Sequence, residues 1–375
     1  MKKTLAAVAI LGAFAGSAMA DVTIYGRVDT GLGFAQNKVY ATQSGDVLKD
    51  TKAEATGMHN GMNTGSRLGF KGSEKVGDNT FGFVLEGAVS GDTGATDGFK
   101  RAATVYAQGA FGKLEAGRMG TVWSDAYAGK YVAVASVDGS GHSGLGIKGA
   151  GLFQISASRY DNMIAYTAPK FAGVELFAQY GAGSNDVEFE SGSDRYMAVG
   201  ATYEGNGLKM AAMVEQINEK STAGEVEDAV AFHVGGQYDF GVAKASVAAV
   251  YFKDANDVAG TLALANTAAG YTGDDAAKAW KLDDGEGYGV NLGVAVPVCG
   301  GTLTATAAYL KGEATVGTEN VDVMAYNVGA VYDYYLSKQV KLYVGGGYSY
   351  NEFEADILKA EFKEAKVGAG MVYYF

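Results

Sequence analysis

The carboxyl-terminal segment Lys366-Val-Gly-Ala-Gly-Met-Val-Tyr-Tyr-Phe375 decides the choice of fold, because its side chains alternate in character. Every second position is apolar, at Val367, Ala369, Met371, Tyr373 and Phe375. The intervening positions include Lys366, Gly368 and Gly370. Successive side chains of a β-strand point to opposite faces, so this strand could place one face in lipid and the other in water. A soluble β-sandwich shows the same alternation, and the breaks between strands must separate the two folds.

Similar segments recur along the chain, and the breaks between them have two lengths. Short turns are predicted at 76–79, 111–113, 169–173, 204–207, 239–241, 297–301 and 333–338. Longer polar breaks include 35–61, 120–151, 184–192, 219–228 and 253–286. Outer-membrane barrels have this asymmetry, with short turns on one rim and long loops on the other. We therefore expect an all-β fold, a transmembrane antiparallel β-barrel of about 16 strands, with about 18 as the alternative.

Membrane burial explains why such strands would form a closed barrel. An unpaired backbone N–H or C=O group costs several kcal/mol in hydrocarbon, so a transmembrane sheet must have no free edge. A barrel of about 8 strands is filled by its own side chains, whereas a barrel of about 16 to 18 strands encloses an aqueous channel. The expected number of strands therefore indicates a water-filled pore.

The amino terminus predicts export. Met1, Lys2 and Lys3 precede an apolar run at 5–14, and Ala18-Met-Ala20 has the small residues of a cleavage site. The apolar run is shorter than the roughly 20 residues that a membrane-spanning helix needs, which argues against a retained anchor. We expect residues 1–20 to be a cleaved signal peptide and residues 21–375 to form a single barrel domain.

The composition narrows the functional classes. Loss of Lys2 and Lys3 with the leader leaves 28 basic against 42 acidic residues, a formal net charge of -14, which argues against nucleic-acid binding. The chain has 56 glycines, 24 tyrosines and only 2 prolines, as expected for long strands with small residues and aromatic ends. Its single cysteine, Cys299, allows no internal disulfide.

Several stretches resemble the trimeric general porins of Gram-negative bacteria. They lie, in the family's order, at 21–27, 66–74, 114–118, 158–173 and 373–375. The resemblance implies a homotrimer in the outer membrane, surrounded by lipid and lipopolysaccharide, that passes ions and small hydrophilic solutes by passive diffusion. The terminal residues Met371, Tyr373 and Phe375 resemble the signal that such proteins present to the barrel-assembly machinery.

The resemblance also implies that the third extracellular loop, at about 120–151, folds into the barrel and narrows it. Matched motif by motif, the basic wall of the constriction would consist of Arg27, Arg67, Arg118 and Arg159. The acids facing this wall would be Asp125 and Asp138, the carboxylates within 120–151. An excess of arginine over aspartate would give a weak preference for anions.

Strand alternation supports two of the four arginines independently of the resemblance. Val22 and Ile24 lie on the face opposite Arg27, as lipid-facing residues would. Leu68 and Phe70 have the same relation to Arg67. An arginine that faced lipid near the bilayer midplane would cost roughly 2–4 kcal/mol, so both arginines are expected to face the lumen.

Enzyme signatures are weak. The segment 144–149 fits G-x-G-x-x-G, but no amphipathic helix follows it, and the histidines at 59, 142 and 233 lack ligand spacing. We expect no catalysis, no cofactor and no metal. Two alternatives to a general pore stay open: a substrate-specific channel with an aromatic slide, and a surface adhesin or structural barrel whose lumen is plugged. Single-channel conductance distinguishes the three.

Overall fold

The computed structural model describes residues 22–123, 131–139, 141–182, 194–218, 228–255, 282–316, 319–356 and 358–375. The strands are β1 Thr23–Gln43, β2 Asp46–Asn60, β3 Arg67–Val76, β4 Asn79–Ala88, β5 Ala102–Gly109, β6 Gly112–Gly120, β7 Arg159–Thr167, β8 Val174–Ala182, β9 Arg195–Gly205, β10 Leu208–Asn218, β11 Ala229–Asp239, β12 Lys244–Ala255, β13 Leu282–Val298, β14 Gly301–Val316, β15 Glu319–Tyr335, β16 Val340–Glu354 and β17 Leu358–Tyr374. A short helix, α1, spans Val132–Ala135. The proposed signal peptide and Asp125 lie outside the described residues.

The strands form one closed antiparallel sheet. From β3 onward each strand pairs with the next along the chain, and β17 then pairs with β1 from Arg27↔Tyr374 to Gln43↔Leu358. This last pairing leaves no free edge, which is the condition that hydrocarbon imposes on a transmembrane sheet. Among the described residues, no helix combines the length and the apolar character that crossing a membrane requires.

The strand position next to β1 in the barrel, which we call the second stave, is interrupted. The first part of β1, at Thr23–Arg27, pairs with β3, whereas its later part, at Thr30–Gln43, pairs with β2. The strands β2 and β3 therefore occupy one position in the barrel, separated by residues 61–66. The seventeen strand segments of the described residues make a sixteen-strand barrel, and the expected number is confirmed.

The turns follow the predicted pattern. Short connections join β3 to β4, β5 to β6, β7 to β8, β9 to β10, β11 to β12, β13 to β14 and β15 to β16, at the positions that the sequence indicates. The predicted loop at 35–61 is wrong, because β1 and β2 continue as a paired hairpin as far as Gln43↔Asp46. We call the end of the barrel that carries the short turns the turn rim, and the other end the loop rim.

Burial alternates along the strands as a lipid-facing wall requires. On β1 the side chains of Ile24, Val28 and Leu32 are exposed on the outside of the barrel, whereas Asp29 is fully buried inside. On β17 Met371 is exposed, whereas Val372 is fully buried. The outer row is apolar and the inner row is polar or packed, so the alternation inferred from the terminal segment holds at the seam of the barrel.

The segment between β6 and β7 folds into the lumen. Helix α1 packs against β10, β11 and β12, and the 3-10 turn Gly149–Phe153 packs against β13, β14 and β15. A second 3-10 turn, Ser143–Leu145, contacts β16 and β17. The described parts of the segment, at 121–123, 131–139 and 141–158, thus contact the inner wall from β10 to β17. The predicted constriction loop is in place, and we call residues 121–158 the lumen loop.

Candidate functional site

The lumen loop is fixed at its start by a buried aromatic cluster. Trp123 stacks on Tyr131, with ring centroids 5.6 Å apart. Both rings also pack on His233 of β11, at 4.9 and 5.4 Å. Nε2 of His233 lies 2.9 Å from Oε1 of Glu215 on β10, and both side chains are fully buried. Aromatic packing over a buried polar pair ties the loop to the barrel wall.

The side-chain amide of Asn327 holds residues 146–148 of the lumen loop. The side chain of Asn327 on β15 donates from Nδ2 to the carbonyl oxygen of Gly146 at 2.8 Å. Its Oδ1 accepts from the backbone N–H of Lys148 at 2.8 Å. Asn327 is fully buried, so these bonds satisfy polar groups of both strand and loop that water does not reach.

The wall opposite the loop carries an arginine cluster around one carboxylate. Oε1 of Glu86 on β4 lies 2.8 Å from Nε of Arg101 and 3.5 Å from Nη1 of Arg67. The hydroxyl of Tyr25 donates to the other oxygen of Glu86 at 3.0 Å. Arg27 stands next to Arg67 in the strand register and shares the inner row of β1 with Tyr25 and Asp29. This wall therefore holds three arginines and one described carboxylate partner, Glu86.

Sequence reasoning missed Arg101. It lies in the irregular segment between β4 and β5, where no alternation assigns a side chain to the lumen. Its backbone N–H donates to the carbonyl oxygen of Glu86 at 3.0 Å, which brings its side chain beside the Glu86 carboxylate. The signal available in the sequence was its position immediately before a strand, which alone does not point inward.

Arg118 does not join this cluster, and its expected place on the lumen wall is corrected. It lies opposite Ala103 and continues the outer row of Leu114 and Ala116, whereas its neighbour Met119 is fully buried inside. Nη1 of Arg118 pairs with Oδ1 of Asp161 at 2.7 Å. The register between β6 and β7 shifts here, so that Arg118 alone stands opposite two residues of β7.

Arg159 begins β7 opposite Gly120 and is partly buried. The base of the lumen loop closes beside it, where the N–H of Thr121 donates to the carbonyl oxygen of Ser158 at 3.2 Å. Arg159 is therefore placed at the root of the loop. Its membership of the basic wall stays a prediction.

Asp138 lies on the side of the loop that packs against the barrel wall, and it does not face the arginines. Its side chain is 8% exposed and is hydrogen-bonded to Ser136, whose hydroxyl also lies 3.2 Å from Oδ1 of Asn291 on β13. A Cβ atom at Gly293 of β13 would lie 3.5 Å from Asp138 Oδ1. Burial raises the pKa of this carboxyl above its usual range. The expected placement of Asp138 is thus corrected, because the loop packs it against the barrel wall.

The described part of the lumen loop carries a cation instead. Lys148 lies near Glu364 and Lys366, which belong to the inner row of β17. Burial lowers the pKa of the Lys148 ammonium below its usual range. Asp125, the second predicted acid, lies outside the described residues. Within its described residues the lumen loop therefore carries a buried lysine beside Glu364.

The interruption of the second stave also narrows the lumen. The Oδ2 atom of Asp29 accepts from the backbone N–H groups of Asn63 and Thr64, each at 2.7 Å. Its Oδ1 accepts from the hydroxyl of Tyr343 on β16 at 2.6 Å. Met62 packs against Leu145 of the lumen loop. We call residues 61–66 the stave bend. Its only sequence signal was a cluster of turn-forming residues, Asn60-Gly-Met-Asn-Thr-Gly65.

Comparison with known proteins agrees with this architecture. The family model for Gram-negative porins matches residues 5–354. An outer membrane porin of Bordetella pertussis is 31% identical, with 100% of each chain covered. Outer membrane porin protein 32 of Delftia acidovorans is 30% identical over 70% of this chain and 73% of its own.

Two solved structures share the fold at low sequence identity. An anion-selective porin from Comamonas acidovorans is 21% identical, with a TM-score of 0.65, and the match covers 95% of this chain and 99% of that chain. The outer membrane channel DcaP of Acinetobacter baumannii is 18% identical, with a TM-score of 0.62 and coverage of 96% and 99%. The family match itself extends to the end of β16 at Glu354. This chain is therefore a member of the Gram-negative porin family, a channel protein of the bacterial outer membrane.

Proposed function

We propose that this porin is a passive diffusion channel for ions and small hydrophilic solutes, with a preference for anions. The observation that carries the proposal is the shared carboxylate of Glu86, which Arg67 and Arg101 both approach. These contacts bring two guanidinium groups together on the inner wall of the barrel. Arg27 adds a third positive charge on the same wall.

The position of these charges affects ion selectivity more than the net charge of the whole chain does. The mature sequence is acidic overall, but at physiological ionic strength charges more than about 8 Å from a passing ion are largely screened in water. At the constriction, protein surrounds the passing ion on all sides, and screening is weaker than at the outer surface. The arginine wall therefore sets the sign of selectivity, and the acidic loops outside have a smaller effect.

The Comamonas acidovorans protein, whose fold covers 95% of this chain, is described as an anion-selective porin. The fold alone transfers no selectivity, because the sequences are 21% identical. The cluster of Arg27, Arg67 and Arg101 in this chain is the independent reason for proposing anion preference here.

The test is the current through the purified protein in a planar lipid bilayer. We expect steady, ohmic single-channel conductance, and a reversal potential of anionic sign under a KCl gradient. A reversal potential of cationic sign would contradict the proposed selectivity. A silent protein that is correctly inserted would favour a plugged structural barrel, and block by one neutral solute alone would favour a substrate-specific channel.

We also propose that the protein is a homotrimer that contacts lipid and lipopolysaccharide and is folded by the barrel-assembly machinery. Membership of the porin family supports an oligomer in the outer membrane. The outer face of the last strand exposes Met371, Tyr373 and Phe375, which makes them accessible to a folding factor. Cross-linking in native membranes tests the trimer, and deletion of Phe375 tests recognition through the amount of folded protein.

A further inference from the structure

A second cationic site lies on the inner wall between the constriction and the turn rim. A cavity of about 340 Å³ opens there beside β1, β3, β4, β5 and β6. Its polar lining includes Thr23, Lys71, Ser73, Tyr106, Gln108 and Lys113. The turn between Gly109 and Gly112 places the cavity close to the turn rim, which faces the periplasm in the porin topology. None of these residues belongs to the arginine cluster.

The site is built from two similar units, each consisting of a glycine, a tyrosine and a lysine. A Cβ atom at Gly69 would lie 2.4 Å from Cζ of Tyr25, so only glycine leaves room for that ring against the wall. The Nζ atom of Lys71 lies 5.3 Å from the centroid of the same ring. Cation–π contact of this kind holds an ammonium group in place without neutralising its charge.

The second unit repeats this arrangement across the cavity. A Cβ atom at Gly82 would lie 2.5 Å from Cζ of Tyr106. The Nζ atom of Lys113 lies 4.4 Å from the centroid of the Tyr106 ring. Lys113 also pairs with Glu115, at 2.7 Å from its Oε2. Lys113 therefore has two partners that fix its position, whereas Lys71 is exposed and rests on the Tyr25 ring.

The charges of the site leave a net positive group facing the cavity. Lys113 is balanced by Glu115, whose side chain is nearly buried. Lys71 has no carboxylate partner among the described residues, and its described contact is the Tyr25 ring. Ser73, Thr23 and Gln108 add hydroxyl and amide donors on the same lining. An ammonium group with neutral donors around it is suited to an oxyanion.

We propose that this cavity binds small oxyanions, either carboxylates or phosphates, as they pass between the constriction and the periplasm. The inference rests on the proposed anion channel, because the solute must first pass the arginine wall. Lys71 lies four residues beyond Arg67 on the inner row of β3, about 13 Å along the strand at roughly 3.3 Å per residue. An anion that leaves Arg67 thus finds a second cation on the same wall before it reaches the rim.

Block of the chloride current tests the site. Succinate or inorganic phosphate is added to the turn-rim side of single channels in KCl at constant ionic strength. In the native protein we expect either anion to reduce the chloride current as its concentration rises, and the concentration that halves the current is measured. Lys71→Gln should raise that concentration at least about fivefold, and Lys71→Arg, which keeps the charge, should restore most of the block. Block by succinate alone would assign carboxylates, and block by phosphate alone would assign phosphates.

The matched control is Lys75→Gln, which removes the same charge from the same strand at a position outside the cavity lining. An equal loss of block in Lys75→Gln and Lys71→Gln would mean that the lumen field acts without a site, and would overturn the inference. Absence of block by both anions would also overturn it. The reversal potential measured in the same membranes separates the two proposals. A reversal potential of anionic sign without block by either anion would contradict only the proposed site. A reversal potential of cationic sign would contradict the proposed anion channel.

Discussion

Arg101 donates from Nε to Oε1 of Glu86 at 2.8 Å across the gap between β4 and the start of β5. The same oxygen is the one that Arg67 approaches from β3. Glu86 therefore sets how much of the arginine charge the lumen experiences, and it also holds two cationic side chains in one place. Both consequences can be measured separately.

Replacement of Glu86 by glutamine should strengthen the anion preference. Glutamine keeps the size and one acceptor oxygen but removes the negative charge, so the inner wall becomes more positive by one unit charge. The reversal potential should shift further in the anionic direction. The unfolding temperature should fall, because removal of one partner from a buried charged pair costs about 3–5 kcal/mol. Glu54→Gln on the exposed hairpin is the control and should change neither quantity. An unchanged reversal potential in Glu86→Gln would contradict this role.

Asn327→Ala should release the far end of the lumen loop. The substitution removes the donor to Gly146 and the acceptor for Lys148, and unsatisfied buried groups cost about 1–3 kcal/mol each. We expect larger current fluctuations in the open channel and faster proteolysis within the loop. Asn320→Ala, on an exposed part of the same strand, is the matched control. Equal noise in the two variants would show that Asn327 does not hold the loop.

Asp29→Asn should loosen the stave bend. The carboxylate of Asp29 accepts hydrogen bonds from Asn63, Thr64 and Tyr343, and an amide cannot accept all of them equally well. The expected result is a higher single-channel conductance together with lower thermal stability. Asp50→Asn, at the exposed end of the β1–β2 hairpin, provides the comparison. A conductance equal to that of the native protein would mean that the bend does not limit the pore.

Asp138→Asn should make the unfolding temperature of the protein less dependent on pH. Burial raises the pKa of Asp138 in the folded protein, so folding favours the protonated carboxyl. That contribution is fully present below the unfolded pKa of about 3.9 and is lost as the pH rises through the higher folded value. The asparagine side chain does not ionise, so the variant keeps its stability as the pH rises. The unfolding temperature of the variant should exceed that of the native protein by a few degrees at pH 7 and match it near pH 3.5. A lower unfolding temperature at pH 7 would contradict the prediction.

The barrel could be predicted from the sequence because strand alternation is a local property. The faces of Val22, Ile24 and Arg27 follow from a period of two residues, and the same period assigns Arg67 to the lumen. The positions of the short turns are equally local, since each turn is marked by its own glycine, asparagine or aspartate residues. The number of strands then follows from the number of turns.

The constriction was only partly predictable, because its contacts join distant residues. Arg118 was assigned to the lumen by motif, but an irregularity in the neighbouring strand at Asp161 does not appear in the sequence around Arg118. Asp138 lies in a loop without periodicity, and only packing against β13 decides its orientation. The stave bend depends on Asp29, which lies more than thirty positions away in the chain.

The central claim is that the arginine pair at Glu86 gives the pore its anion preference, and the reversal potential of the double variant Arg67→Gln/Arg101→Gln tests it most directly. Under a fixed KCl gradient the native channel should show a potential of anionic sign, and the double variant should lose at least about half of it. Arg118→Gln, which removes an arginine from the outer row, should behave as the native channel does. A double variant with the native potential, or an equal loss in Arg118→Gln, would contradict the account.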